Sequence, residues 1–325
     1  MNSRMGISHI SATVLAITTA LTSASVAKAA DDVTVRLNWF AAGYTAPFYV
    51  GVEKGWYKDA DLNVTVQEGQ GSGPTAAQVA AGRTTFGFVS ADALVRVASQ
   101  GAPVKMVASL AQTEGDCVLV KEASGIKTPN DLEGRRYGST AASSIGRLLP
   151  AYLKAANVDD LVVQRVSVDA ANLYAGFIGG QYEGMEALSY DEPPRFEAQG
   201  IKVDCLAYAD KGIHLIGPGI VTNLDMIKDK PDVVRRFVDV TLRSYAYSYE
   251  HPEEAAEIAK KLAGKAVEDT KISTEQLKIF AQLKPKLAGF AKAEDWQSTV
   301  TLLGQYLGVS APDVDTLYTN EFLPK

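Results

Sequence analysis

From residue 33 to about residue 207, short apolar runs alternate with stretches whose apolar positions recur at helical spacing. That pattern predicts an α/β architecture with largely parallel sheets. Residues 33–37 read as a strand. Residues 46–54 read as a helix, with Pro47 in its first turn and Gly55 as its stop. Residues 62–66 alternate apolar and polar at period two, the signature of a half-buried strand. The turn Gly71-Ser-Gly-Pro74 leads into a helix ending near Gly82. A strand at 85–89, a helix at 91–100 and a strand at 104–110 follow.

A second unit opens after Val120. It has a capped helical turn at 126–134, a short strand at 136–138 and a long helix at 143–156. Further strands fall at 161–166, 185–188 and 201–207. From Pro231 the pattern changes to helices alone, at 231–249, 252–262, 274–283 and 294–307. A helical block after two α/β units predicts that one domain is discontinuous and that the tail wraps back onto it.

The start of the chain reads as an export signal. Arg4 precedes an apolar-leaning run from Ile10 to Val26, and Ala27-Lys28-Ala29 gives a small-x-small cleavage site. The run is too short and too interrupted to span a bilayer, and no later stretch reaches that length. Without Arg4 and Lys28 the chain carries 30 basic and 38 acidic side chains, a net −8, which disfavours nucleic acid as a partner. Cys117 and Cys205, both in strand-like runs, are the only cysteines. An oxidising compartment permits a disulfide between them, and two separate buried thiols are the alternative.

Ligands in open α/β sheets sit beyond the carboxyl ends of strands, against the following helix N-termini. The loops at those positions hold Asn38, Trp39 and Tyr44; Ser72 and Gly73; Ser90, Ala91 and Asp92; Thr140, Ala142 and Ser143; and Tyr190 and Glu192. Trp39 and Tyr44 suit stacking on a planar ligand, whereas Phe40 suits the core. Each loop also has a plainer reading: Gly71–Pro74 as a turn, Ser90 and Asp92 as helix caps. Asp92, Glu114, Asp191 and Glu192 make these loops acidic, and no Lys or Arg lies in the same segments. The loops therefore suit a neutral or cationic, nitrogen-rich ligand.

Catalytic constellations are sparse. The mature chain has two histidines, His214 and His251, and no His-x-x-x-His pair, cysteine cluster or Gly-x-Ser-x-Gly elbow. The expectation is no catalytic residues, no metal, no cofactor and no enzymatic activity. His214 sits in a loop returning toward the first unit, where it can meet a ligand.

Leu37-Asn-Trp-Phe40 and Tyr49-Val-Gly-Val-Glu-Lys-Gly-Trp-Tyr57 resemble the opening of the periplasmic substrate-binding proteins of ABC importers. The branch is the one handling thiamine pyrimidine precursors, nitrate, sulfonates and taurine. Gln78-Val-Ala-Ala-Gly82, Gly101-Ala-Pro-Val-Lys105, the segment from Ser124 to Gly134, and Pro231-Asp-Val-Val-Arg-Arg-Phe237 extend the likeness over the mature chain. The resemblance implies a two-lobed type II fold, each lobe a mixed sheet flanked by helices, with a helical C-terminal block. Residues 30–121 and 219–325 would form one lobe and 122–218 the other, after a signal at 1–29.

The resemblance further implies a monomeric periplasmic receptor, without membrane insertion, that passes a small molecule to a permease and its ATPase. Trp39 and Tyr44 would stack on a heterocycle, and Asn38 and Glu192 would hydrogen-bond to it; nitrate, taurine or an alkanesulfonate is the alternative. Two departures stand out: Asp61 where relatives have Gly, and Met185-Glu186-Ala187 in place of Val-Asp-Ala. Related fungal enzymes that make the thiamine pyrimidine carry a cysteine-rich motif that this chain lacks, which sets that role aside.

Overall fold

The computed structural model describes Met1 and residues 29–141, 143–267, 269–310 and 312–325. The proposed signal run at Ile10–Val26 and the site candidate Ala142 lie outside the described residues.

In the first half, β1 (Asp31–Arg36), α1 (Ala46–Glu53), α2 (Trp56–Asp59), β2 (Leu62–Gln67), α3 (Ser72–Ala80), β3 (Phe86–Val89), α4 (Ala91–Ser99) and β4 (Val104–Ser109) follow one another. Next come β5 (Asp116–Lys121), β6 (Arg136–Ser139), α5 (Ser144–Ala155), β7 (Gln164–Ser167), α6 (Ala170–Ile178), β8 (Gly184–Leu188), α7 (Glu192–Glu197) and β9 (Val203–Ala207). The chain then returns through β10 (Gly219–Asn223) to α8 (Leu224–Asp229), α9 (Pro231–Glu250), α10 (Pro252–Ala263), α11 (Thr270–Gln282) and α12 (Ala293–Leu307). Pro231 and Pro252 open α9 and α10, where a missing N–H costs nothing.

Two five-stranded sheets result, in the orders β2-β1-β3-β10-β4 and β7-β6-β8-β5-β9. Each is mixed rather than largely parallel. β10 runs antiparallel to both β3 and β4, and β5 runs antiparallel to both β8 and β9. β10 escapes the sequence pattern because it is five residues long and begins inside Gly217-Pro218-Gly219, which reads as a turn. Strand pairing also moves the first crossing: β5 belongs wholly to the second sheet, so the chain leaves the first sheet after Ser109 rather than after Lys121. The crossings are thus residues 110–115 and 208–218.

β5 and β9, the strands adjoining the crossings, are joined by a Cys117–Cys205 disulfide with Cα atoms 5.6 Å apart. This resolves the two readings of the cysteines. Asp61 takes φ 54°, the left-handed region that favours glycine, so the departure at this position is accommodated by a residue that tolerates αL better than most.

Behind the first sheet, Phe86 stacks on Phe237 of α9 at 4.0 Å between ring centroids, and Phe237 stacks on Tyr57 at 5.5 Å. Tyr190, just beyond β8 of the second sheet, is buried in this same first-lobe core. Its ring meets Tyr44 and Phe280 edge-on, each at 5.0 Å. A second core joins both lobes around Trp296 of α12, and a smaller one backs the second sheet around Phe177, Tyr182 and Phe196.

Candidate functional site

The strand ends of both sheets converge on one cavity of about 350 Å³, within the range of small-molecule sites. Its first wall begins where β1 stops. The Gly69 N–H donates to the Trp39 carbonyl at 3.0 Å and the Gly71 N–H to the Asn38 carbonyl at 2.6 Å, fixing the turn that presents both side chains. A Cβ on Gly69 would lie 1.9 Å from the Leu37 carbonyl oxygen, so only glycine permits this approach. Trp39 is partly exposed and meets Phe40 edge-on at 5.4 Å.

Phe40, expected in the core, is 46% exposed, and Tyr44, expected to stack on a ligand, is 1% exposed. The two aromatics exchange the roles read from the sequence. The short helical turn at Gly43–Thr45 carries Tyr44 inward against Phe88, Tyr190 and Phe280, while Phe40 remains outside it on the loop. Tyr44 still reaches the cavity, and its hydroxyl donates to Asp191 Oδ2 at 3.4 Å.

Ser72, Ser90 and Asp92 line the cavity as expected from their loops. The Ser90 hydroxyl donates to Asp92 Oδ1 at 2.6 Å, and Asp92 also pairs with Arg96 at 3.1 Å. Arg96 reaches over the cleft to the Ser144 hydroxyl of the second lobe at 3.2 Å. Gly73 and Ala91 do not line it. Gly73 lies within the first turn of α3, and the Ala91 methyl is buried in the core beneath α4. His214 is exposed and also outside the cavity: its neighbours Ile213 and Leu215 turn inward, which directs it to solvent. Tyr190 stands behind the cavity wall, its hydroxyl donating to Glu114 Oε1 at 3.4 Å.

On the second lobe, Thr140 and Ser143 line the cavity at the entry to α5, where the Ser143 hydroxyl caps the Gly146 N–H at 3.3 Å. Thr140 donates its N–H and hydroxyl to Glu186 Oε1 at 2.9 and 3.0 Å. Glu192 also lines the cavity, but both its oxygens serve the protein. Oε1 accepts from the Tyr174 hydroxyl at 3.0 Å and Oε2 from the Leu188 N–H at 2.7 Å.

Sequence reasoning missed Glu186, Asp116 and Arg195. Glu186 lies in the middle of β8 and Asp116 at the first residue of β5, whereas the search covered only the loops after parallel strands. Arg195 sits one turn into α7 and pairs with Asp191 at 2.9 Å, so the site is not free of cations; exposed Lys265 adds another at the rim.

Burial dominates the electrostatics. It pushes the Glu186 carboxyl up to about 7 against the opposing pull of the Ser143, Thr140 and Gly146 donors, and Glu192 up to about 8, aided by Asp191. Glu114 and Asp116 are likewise raised by burial and then by neighbouring carboxylates, Asp92 among them. Four acceptors in the wall are shielded from solvent and lack a well-formed hydrogen bond: Asn38 Oδ1, Asp92 Oδ2, Glu114 Oε2 and Glu186 Oε2. Of these, Asp92 Oδ2 is ion-paired with Arg96, and Ser143 and Gly146 approach Glu186.

Residues 42–255 match the model of the family described as NMT1/THI5 like. The chain is 25% identical over 315 residues to the riboflavin-binding protein RibY of Chloroflexus aurantiacus, covering 90% of this chain and 86% of the relative. It is 24% identical over 304 residues to 4-amino-5-hydroxymethyl-2-methylpyrimidine phosphate synthase of Legionella pneumophila, covering 90% and 92%. Among solved structures, the alkanesulfonate-binding protein SsuA from Xanthomonas axonopodis pv. citri, bound to MOPS, superposes with a TM-score of 0.70. It is 13% identical, with 89% of this chain and 98% of that one covered, a likeness of fold.

The synthase name recurs among fungal relatives, and it overturns the expectation of a chain without enzymatic activity. That expectation rested on missing histidine, cysteine and metal constellations. Proton transfer needs only a positioned group with a pKa near the working pH, which such motifs do not announce. With the matched segment spanning more than half of its length and its two mixed sheets closing on one cavity, this chain belongs to the NMT1/THI5-like family and has the periplasmic binding protein fold.

Proposed function

We propose that the protein is an exported receptor that holds a small planar nitrogen heterocycle between its lobes and delivers it to an ABC permease. The observation that carries this reading is the set of unpartnered acceptors, Asn38 Oδ1, Glu114 Oε2 and Glu186 Oε2, in a cavity that also presents the Trp39 ring. Buried acceptors without donors are costly to leave unmet, and ring N–H or amino groups would meet them while Trp39 stacks on the ring. The names of the relatives agree in kind, since riboflavin and an aminopyrimidine are both planar nitrogen heterocycles.

Residues 30–109 with 219–325 would form one lobe and 116–207 the other, the protein acting as a monomer in the periplasm after cleavage near Ala29. A ligand touching both lobes favours the closed state by its differential affinity, and the permease would read that shape. Nitrate and alkanesulfonates fit the unpartnered acceptors poorly because they bring acceptors of their own, and taurine could meet them only through its ammonium group.

Thermal unfolding with thiamine pyrimidine precursors, riboflavin, taurine, alkanesulfonates and nitrate tests the reading. A ligand at ~1,000 times its dissociation constant adds about 4 kcal/mol, readily seen as a rise in Tm. Heterocycles alone should produce it. Trp39→Ala should weaken the heterocycle that binds by about two- to tenfold, in line with ~0.5–1.5 kcal/mol for a ring contact. A shift with sulfonate or nitrate and none with heterocycles would overturn it.

A further inference from the structure

The loop after β8 does not stay with its own sheet. Tyr190 is fully buried in the core behind the first sheet, edge-on to Tyr44 and Phe280. Its neighbour Asp191 is 2% exposed and is held from both sides of the cleft. From the first lobe, the Tyr44 hydroxyl donates to its Oδ2 at 3.4 Å. The Gln276 amide donates to its Oδ1 and, at 3.1 Å, to its backbone carbonyl. From its own lobe, Arg195 pairs with Oδ1 at 2.9 Å. Gln276 lies midway along α11, fully buried, and its side-chain oxygen accepts from the Gly43 N–H at 2.9 Å. The seat is tight on the first-lobe side, where a Cβ on Gly43 would lie 1.8 Å from the Ser273 carbonyl oxygen. Neither Tyr190 nor Gln276 lines the cavity.

We infer that Tyr190 and Asp191 form a tongue that latches the second lobe into the first, so that the chain's own side chains hold the lobes together without help from a bound molecule. This goes beyond the proposed function and does not depend on which ligand the cleft takes. Parting the lobes at this joint must withdraw an aromatic ring from an apolar seat. It must also strip Asp191 of both first-lobe donors and leave a buried carboxylate to Arg195 alone. Packed seats of this kind do not deform by degrees, so the joint has two states, seated and withdrawn. On the other flank α12 meets α5 of the second lobe through apolar packing around Trp296, which permits the small sliding of a shear motion. The tongue is therefore the part that resists opening, and exchange of any cleft ligand would wait on its withdrawal.

Spin labels on Leu262→Cys in α10 and Asn172→Cys in α6 report the gap between the lobes. Both positions are exposed and stand next to residues of opposite rims, Lys265 and Ala171. The native cysteines are bonded to each other and take no label. In the mature chain without added ligand, double electron–electron resonance should give one narrow distance. Gln276→Leu and Tyr190→Ala should each add a longer distance. The ratio of open to closed chains should rise at least about tenfold, the scale of losing a hydrogen bond to a charged acceptor. Gln276→Leu keeps the volume of the core and decides alone if Tyr190→Ala does not fold.

A wild-type distribution that is already broad or long overturns the inference. So do distributions that stay unchanged in the variants, which would make the tongue a pivot turning in its seat. Neither readout uses a ligand, so failure here leaves the receptor reading standing, and failure of the ligand panel leaves the latch standing.

Discussion

Raising the pH from 5 to 9 should cost the ligand-free protein several kcal/mol of stability. The Glu186 carboxyl is pushed up to about 7 and Glu192 up to about 8 by burial, and Glu114 and Asp116 move in the same direction. A carboxyl raised in the folded state keeps its proton where the unfolded chain has already lost it. Its stabilising contribution is complete below the unfolded value, about 4.5, and is lost as pH climbs through 7 and then 8. At ~1.4 kcal/mol per unit, Glu186 and Glu192 together give on the order of 5 kcal/mol, or about 10 °C in Tm for a chain of this size.

Carboxylates with lowered values, such as Glu183 beside Arg136, titrate at lower pH and do not mask the effect. Thermal unfolding at fixed ionic strength should therefore show Tm falling steadily from pH 5 to 9. The double variant Glu186→Gln, Glu192→Gln should flatten that slope. A Tm that is level or rising over this range would mean that the four carboxyls ionise without penalty in the folded protein.

Breaking the disulfide is the other large effect. Cys117 and Cys205 are 88 residues apart, and closing a loop of that length in the unfolded chain is worth about 4.6 kcal/mol in the chain-entropy model. Urea unfolding of the Cys117→Ala, Cys205→Ala double variant should show about that loss. Intact-mass analysis of the wild-type chain should show a gain of two hydrogens on reduction. The staple also joins the two strands through which the chain enters and leaves the second lobe, so its loss should loosen the crossings along with the lobe. A destabilisation below ~1 kcal/mol would refute the loop argument.

The elements were legible because strand and helix periods are clean over most of the chain, and cap residues such as Ser143, Pro231 and Gly55 lie where they stop or start a helix. What could not be read was pairing. The direction of β10 is set by contacts between residues more than a hundred positions apart, and the sheet to which β5 belongs by contacts between residues more than sixty apart, and neither leaves a local signal. The site was legible by half. Asn38, Trp39, Tyr44, Ser72, Ser90, Asp92, Thr140, Ser143 and Glu192 reach the cavity because loop position alone predicts it.

Glu186 and Asp116 were hidden because a carboxylate inside a strand looks like an outward-facing residue until the opposite wall is known. The swap of Phe40 and Tyr44 has the same origin, since only the seat formed by Phe280 and Tyr190 decides which ring turns inward. The displaced carboxyls of Glu186 and Glu192 were hidden for a related reason: they arise from burial, which sequence spacing does not encode.

The placement of β10 has a consequence for how the molecule is assembled. It occupies the interior of the first sheet, between β3 and β4, yet it emerges only after the whole second lobe. A chain synthesised or threaded across a membrane from its N-terminus therefore carries a split first sheet until residue 219 and beyond arrive. The second lobe, continuous from β5 to β9, suffers no such delay and can close on itself first. Pulsed hydrogen exchange during refolding would show this as protection of β5–β9 amides ahead of β3 and β4, and simultaneous protection would count against it. The half that appears first would then be the half that finishes last, leaving a long interval in which its unpaired strand edges are open to a chaperone.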